Sequence, residues 1–300
     1  MLKKIVKLLL CCTLIIPSSV TLASETKAEK NAANTSENVE YWREKIPSFD
    51  EYLTKNPDNK LIGEDEVYVK YTLKEDLKDT RVNSSEDIER VFNVETFTKD
   101  EYLKETLSRA TIGGFEPENG KDPYWLRLDL QVYEMPNMSE TLMAHSFWEW
   151  KTPPAFRFED LNGIYVSQDL KVGPNSTLTP MVSEYIRYFD NGAMSRVLNK
   201  IDTDDHFRGM MGIIDLAYIS TKEGENSKVV PPVSTISHMG MTQTPITKVY
   251  PGKRTRGYIS TNYVHKQVSF GAPSFDSTGK PSFGLTVSND SHGGRVFIEF

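Results

Sequence analysis

Residues 125–133 read Trp-Leu-Arg-Leu-Asp-Leu-Gln-Val-Tyr, and no other part of the chain speaks as clearly about architecture. Leu126, Leu128, Leu130 and Val132 fall on one phase, and Arg127, Asp129 and Gln131 fall on the other. In a helix the same leucines would scatter around the circumference. Period two with this contrast predicts an antiparallel strand with one face in the core and one face in water.

The same pattern recurs on both sides of this segment. Residues 67–73, 142–150, 163–167, 182–189, 213–220, 258–270, 283–288 and 295–300 are β-branched, aromatic or alternating, with Gly, Pro, Asn and Asp between them. Ser274–Gly279 and Ser288–Gly293 both fit Ser-x-Asp-Ser-x-Gly, each followed by a Phe (Phe283, Phe297), which is hairpin-turn chemistry. Long amphipathic helices do not alternate with the strands, which argues against a doubly wound fold. The expectation is a mainly β chain, an antiparallel β-sandwich with a small helical amino-terminal section.

That section is read from three signals. Trp42, Ile46, Phe49, Tyr52 and Leu53 predict a short helical segment docked on the domain, ended by the turn Asn56-Pro57-Asp58-Asn59. Ser85 is placed to cap a helix over 86–92. Thr98 and Glu101 have capping-box spacing ahead of Tyr102, Leu103 and Leu107, and Gly113-Gly114 stops what precedes it. The helical section therefore spans about 85–110 within a single β-rich domain over 41–300.

The amino terminus has the three parts of an export signal. Lys3, Lys4 and Lys7 precede an apolar run over 8–16, Pro17-Ser18-Ser19 breaks it, and Ala23 or Ala28 offers a cleavage site with Thr at minus three. The run is shorter than the roughly 20 residues of a membrane-spanning helix. Residues 1–28 are accordingly read as a signal peptide and 29–40 as a flexible leader. No transmembrane span is expected once the signal is cleaved, and the location is secreted, extracellular or cell-wall associated. Both cysteines, Cys11 and Cys12, lie in the signal, so the mature chain carries no disulfide, thiolate metal site or cysteine nucleophile.

Charge narrows the partners. The net charge of -7 becomes -10 without the three signal lysines, and a net acidic chain with no basic run excludes nucleic acid as the main partner. The sign is uneven. Residues 25–108 hold 21 acids against 13 bases, whereas residues 248–300 hold seven bases against three acids. The second segment suggests a cationic face that meets anionic cell-wall polymer or lipid.

Motifs that carry chemistry are few. There is no Gly-x-Ser-x-Gly elbow, phosphate loop or His-Glu-x-x-His, and no catalytic residue, cofactor or metal is assigned. Asp202, Asp204 and Asp205 suggest calcium but lack the EF-hand glycine and distal glutamate. His206 with Met210 and Met211, and His238 with Met239 and Met241, have the donors that cuprous copper prefers. Val296 and Ile298 before the terminal Phe300 have the pattern of an outer-membrane barrel strand, but Pro is frequent and ten-residue alternation is rare.

The most distinctive stretch is Phe147–Gln168. Trp148 and Trp150 share a strand face with Leu142, Ala144 and Ser146, Pro153-Pro154 breaks the strand, and Phe156-Arg157-Phe158 resumes it. Trp150, Pro154, Phe156, Arg157 and Asp160 in this order make residues 125–190 similar to uncharacterised secreted proteins of Gram-positive bacteria. That resemblance implies export and no particular activity. The aromatic rings either fill the sandwich core or stack on sugar rings, and Arg157 and Asp160 are spaced to pair across a turn. Candidate binding residues are thus Trp148, Trp150, Phe156, Arg157 and Asp160. The expected protein is a secreted binding or interaction protein for cell-wall polymer, carbohydrate or an extracellular protein. A cell-surface polysaccharide hydrolase and a membrane-active β-rich toxin are the alternatives.

Overall fold

The computed structural model describes residues 36–73, 92–113, 123–138, 140–152, 159–173, 181–189, 192–216, 235–265, 273–283 and 290–299. The chain starts with helices α1 (Glu37–Lys45) and α2 (Pro47–Lys55), then strands β1 (Lys60–Leu73) and β2 (Phe92–Phe97), then helix α3 (Lys99–Gly113). Strands follow to the end: β3 (Tyr124–Glu134), β4 (Thr141–Trp150), β5 (Glu159–Val166), β6 (Leu170–Val172), β7 (Val182–Phe189), β8 (Met194–Leu198), β9 (Lys200–Thr203), β10 (Gly209–Asp215), β11 (Thr235–Lys248), β12 (Arg256–His265), β13 (Pro273–Phe275), β14 (Pro281–Phe283), β15 (Asp290–His292) and β16 (Arg295–Glu299).

These strands form an antiparallel β-sandwich. The first sheet runs β2-β1-β3-β4-β11-β7-β8, with β6 beside β11, and the second runs β15-β12-β5-β10-β9, with β16 also on β12. The expected strand around 142–150 is β4, paired along its whole length between β3 and β11. The one short helical segment expected from Trp42 to Leu53 is two helices, α1 and α2. Ser36 caps α1 by accepting the Val39 N–H, and Pro47 opens α2, where its missing N–H is harmless. Residues 37–40, read as leader, are the first turn of α1. The capping box is present: Glu101 accepts the Thr98 N–H at 2.8 Å and opens α3. Residues 86–91 of the helix expected over 86–92, and the signal peptide, lie outside the described residues, whereas 92–97, inside the section expected to be helical, form β2 paired with β1.

Facing side chains of the two sheets form two apolar clusters with a polar belt between them. One cluster holds Leu126, Leu128, Trp148, Trp150, Tyr185, Ile214 and Tyr263. The other holds Leu130, Val132, Leu142, Ile164, Met210, Ile246, Ile259 and Val296. Across the waist, Asn162 donates to Ser146 at 2.8 Å, Ser146 meets Thr261, and Ser183 meets Thr242 at 2.9 Å. Every belt hydroxyl is thereby partnered, as burial requires.

The far face of the first sheet corrects one expectation. Arg127, Asp129 and Gln131 do not face water; they are buried beneath α1 and α2, whose Val39, Trp42, Ile46 and Phe49 pack on Tyr133, Phe147, Met239 and Met241. Each of these polar residues has at least one partner, Gln131 accepting the Tyr133 hydroxyl at 2.9 Å. Arg127 lies 2.8 Å from Glu66, and the Trp42 indole N–H donates to Asp129 at 2.7 Å.

Candidate functional site

Three of the five residues singled out in the sequence converge inside the sandwich. Trp148 and Trp150 are 0% and 1% exposed, so both rings belong to the core and neither offers a face to a ligand. The Trp150 indole N–H donates to the Tyr263 hydroxyl at 3.1 Å, and that hydroxyl donates to Asp160 at 2.6 Å. His265 Nδ1 lies 3.0 Å from both Asp160 oxygens. Burial and the neighbouring carboxylate push the Tyr263 phenol well above its ordinary value, so it stays a donor. This network is fully enclosed and joins β4, β5 and β12. Phe156 and Arg157 lie outside the described residues.

The two metal patterns do not assemble. Asp204 is spent on its own turn, accepting the backbone N–H groups of His206 and Gly209, and Asp202 accepts the Thr203 N–H. Met210 faces the sandwich core and Met211 the opposite side of β10. His238 faces the core, where Tyr185 meets its Nδ1 at 2.5 Å, whereas Met239 and Met241 lie under the helices. Among the described residues no group of three or more His, Cys, Asp or Glu side chains is placed to hold a metal ion.

The outer face of the second sheet is different, because among the described residues it is only half covered. Over Leu161, Met211, Ile213 and Val264 lies the β13–β14 hairpin, with Phe275 packed on them and Asn262 donating to the Pro281 carbonyl at 2.8 Å. Beyond the hairpin the face presents Tyr165 from β5, Arg256 and Tyr258 from β12, and Arg295, Phe297 and Glu299 from β16. Registry fixes this arrangement: Tyr258 opposes Phe297, Arg256 opposes Glu299, and Arg295 opposes Ser260. On the inner phase of the same strand, Val296 and Ile298 point into the core and not toward lipid.

Tyr258 is the hub of this surface. Its ring meets Tyr165 and Phe297 edge-on, each at 6.4 Å between centroids, and the Arg295 guanidinium lies 4.2 Å over it. Arg295 is further held by its Nε donating to Ser260 at 2.9 Å. Phe297 is 76% exposed, the largest exposure of any big apolar side chain among the described residues. Arg254 and Arg256 both pair with Glu299, whose carboxyl they hold below its usual range. Arg256, Gly257, Tyr258, Phe297, Ile298 and Glu299 line a shallow depression at one end of this surface. Sequence reading registered the basic excess of this segment and the alternation of Val296 and Ile298, and passed over an aromatic on the polar phase beside two arginines.

No family model and no curated protein matches the sequence. Several solved structures share some of its β architecture. The collagen-binding domain from a Staphylococcus aureus adhesin is 6% identical with a TM-score of 0.25, covering 53% of this chain and 91% of that one. The C-terminal domain of BspA, a Streptococcus agalactiae AgI/II polypeptide, is 7% identical with a TM-score of 0.25, covering 66% and 79%. Clostridium perfringens delta-toxin is 11% identical with a TM-score of 0.21, covering 61% and 86%. Likenesses this faint carry no information on what the chain binds or does.

Proposed function

We propose that this is an exported, non-catalytic binding protein of the Gram-positive cell envelope, and that its ligand is a polymer of the cell wall. The observation that carries the proposal is the open half of the second sheet, where a solvent-exposed Phe297 sits beside arginines held in place by their neighbours. An exposed ring of this size on a rigid strand is a stacking surface for sugar, and its immobilised neighbours reduce the entropy lost on binding. The signal-like amino terminus supports a place outside the membrane. Among the described residues no helix is long and apolar enough to cross one. The acid and imidazole of the inter-sheet network, Asp160 and His265, are fully enclosed, which supports binding over hydrolysis at that pair.

The test is sedimentation of the purified mature chain with insoluble Gram-positive cell walls. Wild type is expected in the pellet, with no release of soluble sugar, and Phe297→Asp is expected largely in the supernatant with an unchanged melting temperature. Wild-type protein that stays in the supernatant refutes the proposal.

A further inference from the structure

We infer that the wall polymer this face takes is anionic, carrying repeated phosphate or carboxylate groups along a sugar-containing chain. The inference rests on the proposed role at the cell wall and adds the ligand's charge to it.

The chain as a whole carries 42 acids against 35 bases. Among the described residues the open face inverts that balance, with Arg254, Arg256 and Arg295 against Glu299. The other acid at its border, Asp65, is occupied by the Arg295 backbone N–H at 2.7 Å. All three arginines reach solvent. The side chains of Arg254 and Arg256 are 77% and 76% exposed, and Arg295 lies open on the sheet. The single acid that Arg254 and Arg256 share leaves them donors to spare, since one carboxylate cannot satisfy two guanidinium forks. Guanidinium forks suit phosphate and carboxylate oxygens in a way that a neutral hydroxyl does not exploit.

The layout further favours a chain over a lone ion. Arg256 opposes Glu299 and Arg295 opposes Ser260, so the two arginines are four residues apart along the strands, about 13 Å. Tyr258 and Phe297 occupy the row midway between them. A polymer lying along β12 and β16 would place one anionic group at each arginine and a sugar ring over Phe297. A single small anion would engage one end and leave the aromatic pair unused. A flat lipid surface is a poorer match, because among the described residues of the face the exposed large apolar group is Phe297, and it lies between charged rows.

The experiment measures binding of the full mature chain to intact Gram-positive walls and to the same walls stripped of anionic polymer by acid extraction, each at 50 and 200 mM salt. Vesicles of phosphatidylglycerol serve as a third probe. Expected results are binding to intact walls that weakens with salt and falls at least tenfold on stripping. Arg256→Gln with Arg295→Gln should lose about tenfold on intact walls and flatten the salt dependence. Arg256→Lys should recover part of the loss, and Phe297→Ala should weaken binding with the salt dependence intact. Equal, salt-insensitive binding to stripped walls overturns the anionic ligand and leaves the wall-binding role standing. Failure to bind intact walls overturns both. Tighter binding to vesicles than to walls, or arginine variants that bind as wild type, overturns the inference.

Discussion

Asp129 is the group whose replacement tests the buried layer under α1 most directly. Its carboxylate is fully buried, accepts the Trp42 indole N–H at 2.7 Å and lies 3.7 Å from Arg127. Burial pushes its pKa from 3.8 up to about 7, with Arg127 and the Trp42 donor offsetting part of the rise. The folded value lies above the unfolded one, so the native state binds the proton more tightly. Below pH 4 both states are protonated and the group contributes nothing to pH dependence. Between pH 4 and 7 the unfolded chain ionises first, and stability falls as pH rises. A shift of this size corresponds to about 4 kcal/mol at 1.36 kcal/mol per unit. Asp129→Asn keeps an acceptor for Trp42 and cannot ionise. Its stability relative to wild type should therefore climb by about 4 kcal/mol from pH 4 to pH 8, measured by urea denaturation at fixed ionic strength. Taking the difference between the two proteins cancels every other titrating group. A difference that stays flat within 1 kcal/mol, or that moves in wild type's favour as pH rises, would show that Asp129 is ionised in the native state throughout and would refute the argument.

Two further substitutions probe the sandwich interior. Trp150→Ala removes a ring that is 1% exposed and takes one donor from the Tyr263 hydroxyl, at a cost of about 3 to 5 kcal/mol, which should appear as a fall in Tm of about 8 to 16 °C; a melt within 3 °C of wild type would mean that the ring is not in the core. Gly240→Ala should cost about 1 to 3 kcal/mol in chemical denaturation, because the added methyl would meet the Glu184 carbonyl and sit 2.7 Å from the Trp148 indole; unchanged stability would refute so close an approach of β11 to that ring.

What the sequence revealed and what it hid follow the same physical divide. Strands β3 and β4 were legible because Leu and Trp repeat at period two on the face that meets the second sheet, and β7 because it is rich in Val, Ile, Tyr and Phe. The capping box of α3 was legible because Thr98 and Glu101 act on their own backbone. Strand β11 was not legible, although it lies in the middle of the first sheet. Gly240 and Pro245 interrupt it, and both are tolerated for tertiary reasons: Gly240 makes room for Trp148, and the Pro245 carbonyl accepts the Gly173 N–H. The polar phase of β3 misled for a related reason. Arg127, Asp129 and Gln131 look like a solvent face until Trp42 and Glu66, far away in the chain, supply partners. The candidate surface was half visible. The basic excess after residue 248 is a property of composition, but only the pairing of β12 with β16 brings Arg256, Tyr258, Arg295 and Phe297 onto one patch.

The position of β11 also constrains the order in which the protein is assembled. β4 and β7 flank it and are both made earlier, yet neither has its full set of partners until residues 235–248 arrive. The second sheet likewise waits for β12 to join β5. Until then the emerging chain holds bare strand edges with Trp148, Tyr185 and their neighbours uncovered, the condition that invites intermolecular pairing. Pairings this distant in sequence place folding on the slow side of the range for small domains, in milliseconds to seconds. A chain made amino terminus first therefore collapses to its final form only when the last fifth has followed.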